Sequence, residues 1–284
     1  MTLELYPGAM GDARNAQALA VASELAYMAQ AEGGPAYKEQ LDMDATLYSV
    51  GNTQVYVATN DKHIVCAFRG TESPTTIDGL KDWLLTNAAN FLIVPEGRMG
   101  TDFAAAGVGA RFHQGFVTAI GDVWEPMYTR VDAELKKSDR PLWLTGHSLG
   151  GALAVLAAWL FYRKMMDVHQ IYTFGGPMVG NDQAARAINE VYGTKLFRYV
   201  DCVDPVPKLP TVSLADNDYL HCDKEMGLGV AEGGGSALDF FKGLASQAIK
   251  GVLNATLIDD IWKGVLSRVN SHSMTNYRNR ITGA

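Results

Sequence analysis

The segment LTGHSLGGALAVLAAWLF, residues 144–161, constrains the fold more than any other stretch of the chain. An apolar, strand-like run ends in Gly-His-Ser-Leu-Gly, and a long series of helix formers begins at once. A strand that passes into a helix over so few residues must turn sharply, and Gly146 and Gly150 leave room for that turn. Ser148 then stands at the apex with its hydroxyl lifted clear of the sheet. The bare G-x-S-x-G pattern is weak evidence, because chance produces it; its position between strand and helix makes it a candidate nucleophile elbow. The plainer reading is a tight turn with an incidental serine.

The rest of the chain alternates in the manner of an α/β fold. Residues 13–31 read as an Ala-rich helix stopped by Gly33, Gly34 and Pro35. Residues 53–60 and 63–70 read as a hairpin turned at Asp61 and Lys62. A helix over 116–137, kinked or broken at Pro126, precedes a strand at 142–146 and a helix over 149–166. A strand at 170–176, a helix over 182–191 and a strand at 195–200 follow. Residues 227–235, GLGVAEGGG, read as a flexible connector, and two helical patterns cover 237–250 and 252–269. With 284 residues and 48% hydrophobic content, the chain can bury one sizeable core, so a single domain over 1–284 is expected.

Composition also excludes function classes. The longest apolar run, residues 152–162, is closed by Arg163 and Lys164 and is shorter than the ~20 residues that span a bilayer. No secretory signal is visible at the N-terminus, and the compartment stays open. Acidic residues outnumber basic ones by 31 to 24 and the basic ones are scattered, so no nucleic-acid partner is expected. Three cysteines, Cys66, Cys202 and Cys222, have no metal-ligand spacing. Buried thiols are expected, with a Cys202–Cys222 pair as the alternative; no metal or cofactor is called for.

A serine is a weak nucleophile until a base takes its proton and an acid orients the base. For an elbow of this kind the chain order is serine, acid, histidine, which leaves His169, His221 and His272. His169 opens the next strand with little sequence in which to place an acid. His221 lies in a short β-like segment beside Cys222, where a hydrogen-bonded buried histidine is the ordinary expectation. His272 stands in a polar stretch near the C-terminus, from which an imidazole can reach over the sheet edge, and it is the favoured base. For the acid, Asp204 heads a D-P-V-P run whose prolines hold the chain extended; Asp201, at the strand end, is the alternative. The oxyanion donors would be the N–H of Leu149 and that of Thr71, in the loop after residues 63–70.

These residues fall in an ordered set of motifs. FRGT at 68–71, DW at 82–83, HQGF at 113–116, GHSLGG at 146–151, DPVPKLP at 204–210 and HSMTNY at 272–277 resemble the class 3, fungal-type lipase family over most of the chain. The resemblance implies an α/β-hydrolase fold: a mostly parallel central sheet flanked by helices, with a lid helix. It implies a Ser148, Asp204, His272 triad, an oxyanion hole of Thr71 and Leu149, and hydrolysis of carboxylic esters without metal or cofactor. His113 and His147 then look architectural. The implied partner is a lipid or ester substrate met at a transient lipid–water interface, with no stable protein partner inferable, and secretion fits the family. Acylglycerols are the expected substrates, with a phospholipase A1, a soluble-ester or feruloyl-type esterase and an acyltransferase as alternatives. A non-catalytic binding module is the reading from another class.

Residues 72–90 resemble the family's lid: Ile77, Leu80, Trp83 and Leu84 share one helical face, with Asp78, Lys81 and Asp82 opposite and Leu85 interrupting the polar side. An ordinary surface helix packed on the core is the alternative. The long connection at 95–112 and the insertion at 227–269 depart from compact family members. In the insertion, Leu253, Leu257, Ile261 and Val265 recur at helical spacing, as do Phe241, Leu244 and Ala248. Burial against the domain is the common fate of such stripes; a second flap or an interfacial anchor is the alternative.

Overall fold

The computed structural model describes residues 2–71, 92–209, 219–229 and 269–283. Its centre is the expected hairpin extended on both sides. β1 (Asp44–Val50), β2 (Thr53–Thr59) and β3 (Ile64–Phe68) form an antiparallel meander. The turn between β2 and β3 closes on Asn60, whose side-chain oxygen accepts the N–H groups of Lys62 and His63 at 2.9 and 2.8 Å. This is the local bonding that suits Asn to turns.

From β3 onward the strands are parallel: β6 (Leu142–His147), β7 (Gln170–Phe174), β9 (Leu196–Asp201) and β11 (Glu225–Leu228). Among the described residues they complete a seven-stranded sheet in the order β1-β2-β3-β6-β7-β9-β11. Four short strands, β4 (Leu92–Ile93), β5 (Phe112–His113), β8 (Gly180–Asn181) and β10 (Tyr219–Leu220), form a second sheet in the order β10-β8-β5-β4.

Helices cover both faces of the main sheet, as a parallel sheet requires. On one face lie α1 (Ala13–Leu25), α2 (Gln30–Leu41) and α7 (Met274–Thr282), packed on Tyr56, Val65, Trp143, Tyr172 and Phe197. The other face carries α4 (Gln114–Leu135), α5 (Leu149–Arg163) and α6 (Asp182–Tyr192). The five-residue α3 (Gly100–Ala104) lies in the 95–112 connection and packs on α5. Every residue of α5 from Leu149 to Phe161 is buried, so the helix is apolar all round because it has no solvent face. The indole Nε1–H of Trp159 is satisfied there by the carbonyl of Asp102, 2.9 Å away.

Several sequence expectations are corrected. The first helix stops at Leu25, and Gly33, Gly34 and Pro35 lie inside α2 rather than ending a helix. A Cβ at Gly33 would come within 2.3 Å of the Tyr56 hydroxyl, so close approach to the sheet, not chain termination, accounts for that glycine. Pro126 sits within an uninterrupted α4. Gly227 and Leu228 belong to β11, so the connector expected over 227–235 cannot begin before Gly229. Cys66, Cys202 and Cys222 are free thiols as expected, but only Cys66 and Cys222 are buried, Cys202 being half-buried. The lid expectation at 72–90, with Ile77, Leu80, Trp83 and Leu84, and the helical stripes between 230 and 268 lie outside the described residues.

Candidate active site

Four parallel strands end at one edge of the sheet, and the chain leaving each delivers a piece of the site, the usual place for function in an open α/β sheet. β3 leads to Gly70 and Thr71, β6 to Ser148, β7 to Gly175 and β9 to Asp204.

Ser148 occupies the sharp turn between β6 and α5 with φ 57° and ψ −131°, a conformation that L-residues rarely adopt and that costs on the order of 1–3 kcal/mol. Three things hold it there. Its N–H donates to the carbonyl of Phe174 at 2.9 Å, and its own carbonyl accepts from Gly151 at 2.9 Å. The flanking glycines let the backbones close on each other: a Cβ at Gly146 would lie 2.2 Å from the Gly150 carbonyl oxygen, and one at Gly150 would lie 2.1 Å from that of Phe68. Leu149 opens α5, so its N–H belongs to the first helical turn, where no intrahelical acceptor exists and the helix dipole favours negative charge.

The loop after β3 packs on the elbow. A Cβ at Gly70 would come within 3.1 Å of the Ser148 Cβ and 2.8 Å of the His147 carbonyl oxygen. Thr71 follows directly; its hydroxyl is buried and has no hydrogen-bond partner among the described residues.

His272 precedes α7, whose N-cap Ser273 accepts the N–H of Asn276 at 3.2 Å. Its Nδ1 lies 2.8 Å from Oδ2 of the fully buried Asp204. A carboxylate can only accept, so Nδ1 carries the hydrogen and Nε2 keeps the lone pair of a base. That Nε2 is buried and has no hydrogen-bond partner among the described residues. Oδ1 of Asp204 accepts the N–H of Val206 at 2.9 Å, which fixes the second oxygen.

The imidazole sits beside the elbow. His147 Nε2 lies 2.6 Å from the His272 carbonyl oxygen, and the two ring centroids are 4.7 Å apart. Gly175, next to the Phe174 that holds Ser148, has φ +60°; a Cβ there would lie 3.1 Å from His272 Cε1 and 2.9 Å from Asp204 Oδ2. Any larger residue at 175 would push into the pair.

The other candidates are elsewhere. His169 Nε2 bonds the Pro7 carbonyl at 2.9 Å, near the start of β7 and so at the opposite end of the strands. His221 bonds the Pro207 carbonyl, holding the loop that carries Asp204, and burial keeps its pKa well below the ordinary value. Asp201 faces α7 instead, where Asn276 Nδ2 and Arg280 Nε approach its Oδ2 at 2.6 and 2.5 Å. His113 caps α4, its Nδ1 accepting the Phe116 N–H at 3.3 Å. Among the described residues no cluster of His, Cys, Asp and Glu is arranged to hold a metal ion.

Sequence reasoning missed Tyr277, Gly175 and Tyr27. Tyr277 is fully buried and its hydroxyl donates to Asp204 Oδ2 at 2.7 Å. It lies inside the HSMTNY motif, so its spacing from His272 was the available signal. Gly175 ends an apolar strand in a Gly-Gly pair, a weaker one. Tyr27 carried none.

The sequence profile described as Lipase (class 3) matches residues 65–214, which contain the elbow, Thr71 and Asp204. The chain belongs to the class 3 lipase family. Class 3 lipase relatives include a secreted mono- and diacylglycerol lipase of Fusarium solani, 34% identical over 177 residues that make up 60% of this chain and 46% of that one. A chloroplastic phospholipase A(1) of Arabidopsis thaliana is 31% identical over 168 residues, 55% of this chain and 36% of that protein. This chain thus spans about half or less of the length of these two relatives. Among solved structures, the native lipase–propeptide complex of Rhizomucor miehei superposes with a TM-score of 0.60 at 25% identity, covering 80% of this chain and 73% of that one. The class 3 lipase fold seen here is the α/β-hydrolase fold, with its mostly parallel sheet between helical layers.

Proposed function

We propose that the protein is a serine hydrolase of lipid carboxylic esters, acylglycerols in the first place, with Ser148 as nucleophile, His272 as base and Asp204 as its orienting acid. The observation that carries the reading is the buried Asp204–His272 pair, 2.8 Å long, beside a strained serine at the mouth of a helix. His272 Nε2 takes the Ser148 proton as Oγ attacks the ester carbonyl. The Nδ1–H bond to Asp204 keeps the ring in the tautomer that can do so and stabilises the imidazolium that forms. The carbonyl oxygen becomes an oxyanion on the N–H groups of Leu149 and Thr71, with the Thr71 hydroxyl as a further donor. Collapse expels the alcohol with the proton from His272 and leaves an acyl-serine, which water cleaves by the same steps to free the fatty acid.

The Fusarium relative supports acylglycerols and the Arabidopsis relative supports phospholipid as the second reading. The word "secreted" in the name of the Fusarium protein supports export of this one. Among the described residues no helix is long and apolar enough to cross a membrane. The test is hydrolysis of emulsified acylglycerols, phospholipid vesicles and short soluble esters, each below and above its solubility limit, with Ser148→Ala alongside. We expect turnover of acylglycerol that rises above the solubility limit, a loss on the order of a million-fold in the alanine variant, and stoichiometric labelling of Ser148 by an organophosphate. Absence of turnover on every ester class, or full activity in Ser148→Ala, overturns the proposal.

A further inference from the structure

We propose that Tyr27 and His147 form a directed hydrogen-bond relay that holds the base-bearing segment and the oxyanion loop in register on the serine turn, and so act as positioning residues. The inference rests on the reaction proposed above.

Three chain segments must agree on the position of one substrate carbon, and the sheet holds them together only in part. β3 and β6 stay paired as far as Phe68 and Gly146, and beyond that point both leave the ladder. His272 is not in the sheet at all; it ends a 3₁₀ turn before α7. Asp204 secures one ring atom of His272, and an imidazole held only at Nδ1 can still swing its Nε2.

The relay supplies the missing constraints. His147 Nε2 lies 2.6 Å from the His272 carbonyl oxygen, fixing the backbone from which the base projects. On its other side, His147 Nδ1 lies 2.8 Å from the Tyr27 hydroxyl, just beyond α1. The Tyr27 hydroxyl in turn packs on Gly70, the residue before Thr71. A Cβ at Gly70 would sit 2.2 Å from that hydroxyl, so the contact exists only because the position is glycine.

A carbonyl cannot donate, so His147 Nε2 carries the hydrogen; in the neutral ring Nδ1 then accepts, and Tyr27 donates to it. This requires His147 to be neutral. Burial, then the neighbouring His272, keeps its pKa well below the ordinary value. The titratable and charged groups around it are Tyr27 and His272, with Tyr277 in edge contact at 5.9 Å, Asp204 behind His272 and Arg69 acting on Tyr27. Burial pushes the Tyr27 hydroxyl up, so it remains a donor. A proton added to His147 would point at a hydroxyl already pledged in the other direction and would set a positive charge beside the ring that must become imidazolium.

The test compares wild type, Tyr27→Phe, His147→Phe, His147→Gln, the Tyr27→Phe/His147→Phe double variant and Ser148→Ala on one short soluble ester. Displacing a reacting group by about 1 Å can cost on the order of 100-fold, so we expect kcat to fall about 10-fold in Tyr27→Phe and about 100-fold in His147→Phe, with KM within about two-fold. The double variant should be no slower than His147→Phe, since both act through one relay. His147→Gln, whose amide can still donate to the His272 carbonyl, should recover part of the loss. Independently of activity, imidazole ¹⁵N spectra should hold wild-type His147 in the neutral Nε2–H form from about pH 5 to 9, and Tyr27→Phe should mix its tautomers. Wild-type kcat in Tyr27→Phe, multiplying effects in the double variant, or a wild-type His147 that titrates in that range overturns the relay. A wild type that hydrolyses no ester overturns the proposed function instead, while the spectra still report on the relay.

Discussion

The hydroxyl of Tyr277 donates to Oδ2 of Asp204 at 2.7 Å, the same oxygen that receives the Nδ1–H of His272 at 2.8 Å. The tyrosine oxygen also accepts the N–H of Asp201 at 3.2 Å, so one buried side chain joins the end of β9 to the acid. Tyr277→Phe leaves that N–H unsatisfied and releases one constraint on the carboxylate. A loss of about 1–3 kcal/mol in denaturant unfolding is expected, with kcat down about 10-fold. A fully active, fully stable variant would show that His272 and the Val206 N–H orient Asp204 without the tyrosine.

The two aspartates of the β9 exit should separate cleanly. Asp204→Asn removes the charge that fixes the His272 tautomer and should lower kcat by about 10⁴-fold. Asp201→Asn weakens the contacts to Asn276 and to the exposed Arg280, and should cost about 1–3 kcal/mol of stability while activity per folded molecule stays within about 10-fold. Activity assays normalised to the folded fraction from circular dichroism would check both; equal losses would refute the division of roles.

Alanine at Gly150 should be intolerable. Its Cβ would meet the Phe68 carbonyl oxygen at 2.1 Å, and backbone cannot move aside as a side chain can. A destabilisation of about 3 kcal/mol is expected. Gly227→Ala, where nothing lies within 4 Å of the added carbon, should fold as wild type. Thermal melts of the pair make the comparison.

Stability should fall on acidification through His63. The ring is buried and accepts the Trp143 indole N–H at 3.3 Å; burial first, then Lys62, lowers its pKa to about 4. The unfolded chain, with histidine near 6.5, binds the proton earlier, so the neutral ring stabilises the fold above about pH 6.5 and that contribution is lost as pH falls towards about 4. His63→Gln keeps an acceptor without the titration. Between pH 7 and 4 wild type should lose about 1–3 kcal/mol more than this variant in urea unfolding. Parallel curves would refute the linkage.

A buried carboxylate braces the far end of α4. Burial pushes the Glu134 pKa up, but hydrogen bonds from Lys137 and Arg140 and the charge of Arg130 outweigh this and hold it below the ordinary value. Arg140, itself buried, spans from Glu134 to the Asn60 carbonyl of the β2–β3 turn. Glu134→Gln removes the charge that Arg140, Arg130 and Lys137 share while leaving Arg140 its carbonyl acceptors, and should cost about 1–3 kcal/mol with unchanged activity per folded molecule. Denaturant curves check the first part and normalised assays the second.

Local chemistry made much of this readable. The elbow, the hairpin and the strand–helix alternation are written in contiguous residues, where periodicity and turn chemistry act over short distances. Ser148 and the order of the later site residues followed from the same source. The helix boundary at Leu25 is not legible locally, because the reason for Gly33 is Tyr56, 23 positions away in sequence and outside any local window.

The choice between partners was different in kind. The sequence by itself determined which residue types were available and that an apolar strand must turn sharply at Ser148 into a helix. Only the tertiary structure paired His272 with Asp204, turned Asp201 towards α7, sent His169 and His221 to backbone carbonyls and brought Tyr27 to His147. Those outcomes depend on where each strand end and each buried face lies, and a hydrogen bond made across 68 residues, as from His272 to Asp204, or 120, as from Tyr27 to His147, has no trace in the spacing of its two ends.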